Sequence, residues 1–223
     1  MKRKRGTDMS IKIEIIKANL RHHLLMPFLA AVGILFLTAV LFPITALKGK
    51  DVSKPLEYFL PFVGVALLTP IFLPEQDSSI RDVVASKKIN GSAIYKLRVL
   101  YSIAALLMLI SIFVGIMYLN ECEVRWYHFY GGFSSALFLG SIGFVTAGVS
   151  GNTVAGYMAA FLYYIMCYGL KRQLGVFWLF RMSMGLPPEK TWLLLGGFVL
   201  IFLAFAKVKR CGKMMVDSIM KRY

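Results

Sequence analysis

The chain has 223 residues, 58% of them hydrophobic and only 17% charged, with a mean hydropathy of +0.67 and a net charge of +15. A soluble domain covers its surface with about 25% charged residues, so a soluble globular fold is excluded and an all-α polytopic membrane protein is expected. The 26 Lys and Arg residues flank apolar runs, where they suit anionic headgroups and the insertion machinery, so nucleic acid is excluded as a partner.

The first element expected is an amphipathic arm over residues 10–21. Ile13, Ile16 and Leu20 share one helical face, Lys12 and Lys17 lie off it, and Ser10 can cap its start. Such a helix lies in the membrane interface ahead of the first span. A bilayer core needs about 20 apolar residues per helix. That rule predicts six spans, at residues 24–46, 56–73, 99–119, 131–149, 153–170 and 191–206. Pro187 or Pro188 suits the first turn of the last one. The first apolar run lacks a small-residue cleavage site, so no cleavable signal peptide is expected.

Between the spans, residues 74–98 form a polar segment long enough for two short helices around Asn90-Gly91. Glu121, Glu123, Arg125 and His128 read as a solvated loop, with Trp126, Tyr127, Phe129 and Tyr130 as an interfacial belt. Residues 171–190 are apolar but too short to cross and interrupted by Arg181, which predicts a re-entrant or surface-lying helix pair. Most Lys and Arg residues fall in the N-terminal arm, in residues 74–98 and in the C-terminal tail, so these and both termini are expected on the cytoplasmic side of the cell membrane.

Catalytic patterns are sparse. No GxxxxGK[ST] occurs, so the chain carries no P-loop of its own. Gly148-Val149-Ser150-Gly151 matches the GxSG of intramembrane serine proteases, but a nucleophilic serine needs a histidine base. His22, His23 and His128 are the only histidines, and none lies in a later span. A tight turn between two helices is the simpler reading. Cys122, Cys167 and Cys211 fall in separate regions, which argues against a disulfide framework or a metal cluster. Glu57 is the main ionisable residue within the spans, and scarce mid-membrane carboxylates weigh against an ion-coupled carrier.

The order of these parts resembles the six-span permease subunits of type-2 ABC (ABC-2) exporters. It combines an amphipathic arm, a long cytoplasmic segment after span two, a minimal link between spans four and five, and an outer segment before span six. The local likeness is strongest in Leu73-Pro74-Glu75-Gln76-Asp77, then Ile80-Arg81-Asp82-Val83-Val84-Ala85-Ser86-Lys87-Lys88, then Tyr95-Lys96-Leu97-Arg98. The resemblance implies that Glu75 closes span two and that Ser79 to Ser86 forms a coupling helix against an ATPase. It makes Gln76, Asp77, Ser79, Ile80, Arg81, Asp82 and Ser86 coupling residues, with Ser150, Gly151 and Asn152 as a second contact. The glycine often found after the family's acidic residue is absent here.

The expectation is thus a permease that is not catalytic by itself and holds no cofactor or metal. ATP and Mg would be bound by a separate cytoplasmic P-loop ATPase, and a second permease chain, identical or related, would complete the pathway. A membrane scaffold or accessory subunit is the alternative, and an intramembrane enzyme using Ser150, or Glu121, Glu123 and His128, is a third reading.

Overall fold

The computed structural model describes residues 25–75, 91–185 and 190–220. These form α1 (Leu25–Leu41), α2 (Ser53–Tyr58), α3 (Leu60–Leu68), a 3-10 helix (Thr69–Glu75), α4 (Gly91–Leu119), α5 (Trp126–Ser150), α6 (Thr153–Leu170), a second 3-10 helix (Lys171–Phe177) and α7 (Thr191–Met220). Among the described residues there is no β-strand.

Among the described residues, four stretches are long and apolar enough to cross a membrane: Ser53–Leu73, Tyr95–Leu119, Trp126–Ser150 and Thr153–Leu170. The last of these has the bounds expected from the sequence. Leu25–Leu41 and Thr191–Ala206 are apolar but shorter. The first helix therefore stops at Leu41 instead of running to residue 46, because Pro43 and the turn beyond it leave no continuing helical ladder. The arm at residues 10–21, the centre of the 74–98 segment, and Pro187 and Pro188 lie outside the described residues.

Packing is organised around α5. Its sequence, WYHFYGGFSSALFLGSIGFVTAGVS, is rich in Gly, Ser and Ala, and small residues let backbones approach closely where lipid supplies no hydrophobic drive between helices. A Cβ on Gly140 would lie 2.5 Å from the Gly64 carbonyl oxygen, and one on Gly156 would lie 2.5 Å from the Gly143 carbonyl oxygen. So α3 and α6 both touch α5 backbone to backbone. The α5 hydroxyls are satisfied within the helix: Ser134, Ser135 and Ser141 donate to the carbonyls of Tyr130, Gly131 and Leu137 at 2.7, 3.0 and 2.6 Å.

Leu56, Leu60, Leu67 and Leu68 fill the central seam with Leu106, Ile110, Phe113 and Leu137. In contrast α1, α4 and α6 each turn a row of large apolar side chains outward, among them Phe36, Met108, Ile112, Phe161 and Leu162. That distribution suits an apolar solvent. Pro61, in the first turn of α3, has no N–H to give to the helix before it. The helix breaks at Phe59 accordingly, and Glu57 sits on the separate short helix α2.

The chain runs back and forth between two ends. At one, the turn after α1 meets the turn after α4: the Ala46 N–H donates to the Asn120 carbonyl and the Glu123 N–H to the Leu47 carbonyl, both at 3.0 Å. Ala46 and Glu121 there adopt positive φ of 50° and 58°. At the other, Phe72 stacks on Phe144 at 4.8 Å and meets Tyr95 at 5.2 Å. The tight turn from α5 into α6 lies at this second end, since a Cβ on Gly148 would touch the Phe72 ring at 2.9 Å.

Candidate functional site

The densest buried polar arrangement lies at the first end. Glu57 and Lys190 are both wholly buried and form an ion pair of 2.6 Å from Nζ to Oε1. Every hydrogen-bonding position of the ammonium is used. Beyond Glu57 it donates to the Ser135 hydroxyl at 2.8 Å and to the Leu179 carbonyl at 2.9 Å. The carboxylate in turn accepts the Met182 N–H on Oε1 at 2.9 Å and the Ser183 N–H on Oε2 at 2.7 Å.

Local sequence explains the geometry. Gly131 leaves room for the lysine stem, since a Cβ there would come within 3.3 Å of Lys190 Cδ and strike the Met182 sulfur. Ser135, one turn further along α5, then presents its oxygen to Nζ. Lys190 directly precedes α7, and its carbonyl accepts the Leu194 N–H at 3.1 Å. A general acid or base needs a site open to substrate. Here both side chains of the pair are wholly buried, and their contacts tie α2, α5 and the start of α7 to residues 179–183.

What it holds is the stretch after the second 3-10 helix. The helix pair expected between residues 171 and 190 does not form among the described residues. Instead Lys171–Phe177 is followed by turns through Gly185, with Trp178, Leu179, Phe180 and Met182 buried. The Trp178 indole N–H donates to the Cys167 carbonyl at 3.0 Å, and Phe180 lies against Tyr58, Tyr164 and Tyr168. The apolar character of LGVFWLFRMSMG thus reflects insertion against α2, α5 and α6 rather than a surface-lying helix.

The expected solvated cluster divides. Glu121, Glu123 and Arg125 are exposed, but His128 is 1% exposed and belongs to the first turn of α5. Its Nδ1 accepts the Arg125 N–H at 3.0 Å, which caps the helix. Trp126, Tyr127, Phe129 and Tyr130 lie in the first turns of α5. Among the described residues no group of three or more His, Cys, Asp or Glu could hold a metal ion.

Ser150, Gly151 and Asn152 are all exposed at the second end. Gly151 terminates α5 with φ of 67°, the left-handed conformation that favours glycine. Asn152 Oδ1 accepts the Val154 N–H at 2.9 Å and so caps α6. The Ser150 hydroxyl donates back to the Thr146 carbonyl at 2.7 Å. His128 starts the same helix that Ser150 ends, roughly 33 Å away at 1.5 Å per residue, too far to act as its base. The Gly-x-Ser-Gly match is a helix–turn–helix link.

Of the other coupling residues, Glu75 closes the 3-10 helix that ends the second apolar stretch. Gln76, Asp77, Ser79, Ile80, Arg81, Asp82 and Ser86 lie outside the described residues. Just beyond them, the Arg98 guanidinium donates to the Ile71 carbonyl at 3.1 Å and lies 6.0 Å from the Tyr95 ring centre.

The described chain is all-helical, with apolar helices that fit a membrane protein. No protein-family model, curated protein or solved structure matches it.

Proposed function

We propose that this chain is the membrane-spanning permease subunit of a type-2 ATP-binding-cassette exporter. In this reading all six apolar helices cross the cell membrane, the two shorter ones by local bilayer adjustment. Both termini face the cytoplasm, with the amphipathic arm in the interface. Two permease chains form the substrate pathway between them, and a separate P-loop ATPase that binds ATP and Mg drives the cycle.

The observation that carries this reading is where the two coupling connections are rooted. The segment beginning at Glu75 and the Ser150–Asn152 turn leave the same end of the bundle. They extend the helices that meet at its centre, joined there by the Phe72–Phe144 stack and the close Gly148–Phe72 approach. An ATPase gripping either connection would act directly on the α3–α5 seam. The Arg98–Ile71 contact would carry the same motion into α4.

The test is gentle affinity purification from native membranes, with the co-purifying proteins identified. A stoichiometric P-loop ATPase, lost when residues 75–82 are scrambled, is the expected result. A chain that purifies alone, or whose ATPase survives the scramble, would refute the coupling role and favour a membrane scaffold.

A further inference from the structure

A second device sits at the opposite end and does not depend on the transport reading. From Val176 to Met184 the chain is neither helix nor strand for most of its length, and it is bracketed by two glycines in left-handed φ, Gly175 at 55° and Gly185 at 73°. Glycine takes such angles without a Cβ penalty and can leave them equally freely, so both ends of the stretch can pivot. Its body is stiffened from within, with Ser183 Oγ donating to the Phe180 carbonyl at 3.1 Å and the Gly185 N–H to the Met182 carbonyl at 2.9 Å.

Its attachment to the bundle is of two kinds. The Phe177 carbonyl accepts the Tyr163 hydroxyl at 2.8 Å and the Trp178 indole N–H donates to the Cys167 carbonyl, while the rings of Trp178 and Phe180 and the side chain of Leu179 are buried apolar anchors. In a bilayer such contacts are weakly selective, because acyl chains are as apolar as the residues they replace. The polar attachments are selective, because an unmet amide or carboxylate has no partner in hydrocarbon. Three of them converge on the buried pair: the Met182 and Ser183 N–H groups on Glu57, and the Leu179 carbonyl on Lys190 Nζ. The Glu57–Lys190–Ser135 contacts make no use of the stretch, so the pair can stay assembled with the stretch lifted.

We infer that residues 176–184 form a hinged lid over this end of the bundle, latched by the preassembled Glu57–Lys190 pair and able to lift as a unit about Gly175 and Gly185. Lifting it withdraws Met182 from Gly131 of α5 and unroofs Cys167.

Two buried native thiols make this testable. Cys167 packs in one cluster with Trp178, Leu179 and Phe180, whereas Cys122 lies in the turn after α4 and packs in a different cluster. The full chain with Cys211→Ala, in lipid nanodiscs, is exposed to a water-soluble maleimide and labelling at each thiol is followed with time. Glu57→Gln leaves one acceptor oxygen for two lid amides and the ammonium. Cys167 labelling should accelerate at least about ten-fold, the scale of one charge-assisted hydrogen bond, with Cys122 unchanged. Glu57→Asp keeps the counter-charge for Lys190 but draws the carboxylate back by one methylene from the Met182 and Ser183 amides, and should raise Cys167 labelling several-fold if Glu57→Gln does not fold. Unchanged Cys167 labelling in Glu57→Asp and in any folded Glu57→Gln protein would overturn the inference. So would Cys122 labelling that rises in step with Cys167, since that is loosening of the whole bundle.

Discussion

Gly64→Ala adds one methyl group to the middle of α3, and the structure predicts that it costs stability. The new Cβ would lie 2.5 Å from the carbonyl carbon of Ala136 on α5, with the carbonyl oxygen also in its way. Carbon atoms in contact sit about 3.5–4.0 Å apart, so α3 and α5 must part by about 1 Å. A gap of that size forfeits up to about half of the dispersion energy across the seam. Leu60 and Leu68 flank the site and reach Gly132 and Gly140 of α5. If each directs about 20 of its contacts across the seam at ~0.15 kcal/mol apiece, the two together lose about 3 kcal/mol. Alanine returns up to about 1 kcal/mol of helix propensity, leaving a net loss of about 2 kcal/mol.

Gly115→Ala in α4 is the matched control. A Cβ there meets nothing within 4 Å, so only the propensity gain remains and the chain should become more stable by up to about 1 kcal/mol. Reversible unfolding in mixed micelles titrated with SDS, followed by far-UV circular dichroism, measures both. Equal stability of Gly64→Ala and the parent would refute the close-packed α3–α5 seam. An equal loss in Gly115→Ala would show that the assay senses glycine content and not packing.

Two further outcomes follow from other contacts. Lys190→Met leaves Glu57 buried without its counter-charge and should destabilise the fold by about 3–5 kcal/mol. In a double-mutant cycle with Glu57→Gln the coupling should exceed about 1.5 kcal/mol, and a coupling under about 0.5 kcal/mol would mean that the pair is not formed. At the α5–α6 turn, Asn152→Ala removes the cap on Val154 and should cost about 1 kcal/mol. Hydrogen exchange at the Val154 amide should then quicken about five-fold, and an unaltered rate would show that the cap contributes nothing.

The helices were largely legible because hydropathy is a local property of the chain. Thr153–Leu170 is recovered to the residue, and the second, third and fourth apolar stretches overlap their expected positions. Ends were less legible where a turn competed with an apolar run. Phe42, Pro43, Ile44 and Leu47 keep the composition of a span beyond Leu41, while the chain has already left the helix. The Glu57–Lys190 pair was not legible, because its members are far apart in sequence and each taken alone looks ordinary. Glu57 is the main ionisable residue within the expected spans, whereas Lys190 is one of several basic residues outside them, at the end of the 171–190 stretch. The only signals in the sequence are indirect: Gly131 and Ser135 one turn apart, and a lysine directly before an apolar run. His128 was misplaced because its neighbours Glu121, Glu123 and Arg125 are polar. The α5 cap that draws its ring inward is a three-dimensional contact.

The two-residue link Gly151-Asn152 has a mechanical consequence. With α5 and α6 touching backbone to backbone at Gly143 and Gly156, and no slack in the turn that joins them, the two helices make one stiff lever. Its handle is the exposed Ser150–Asn152 turn, and its shaft is the largely buried α5. A force of any origin on those few surface atoms is delivered along the whole length of the bundle, toward the end where Lys190 is gripped by Ser135.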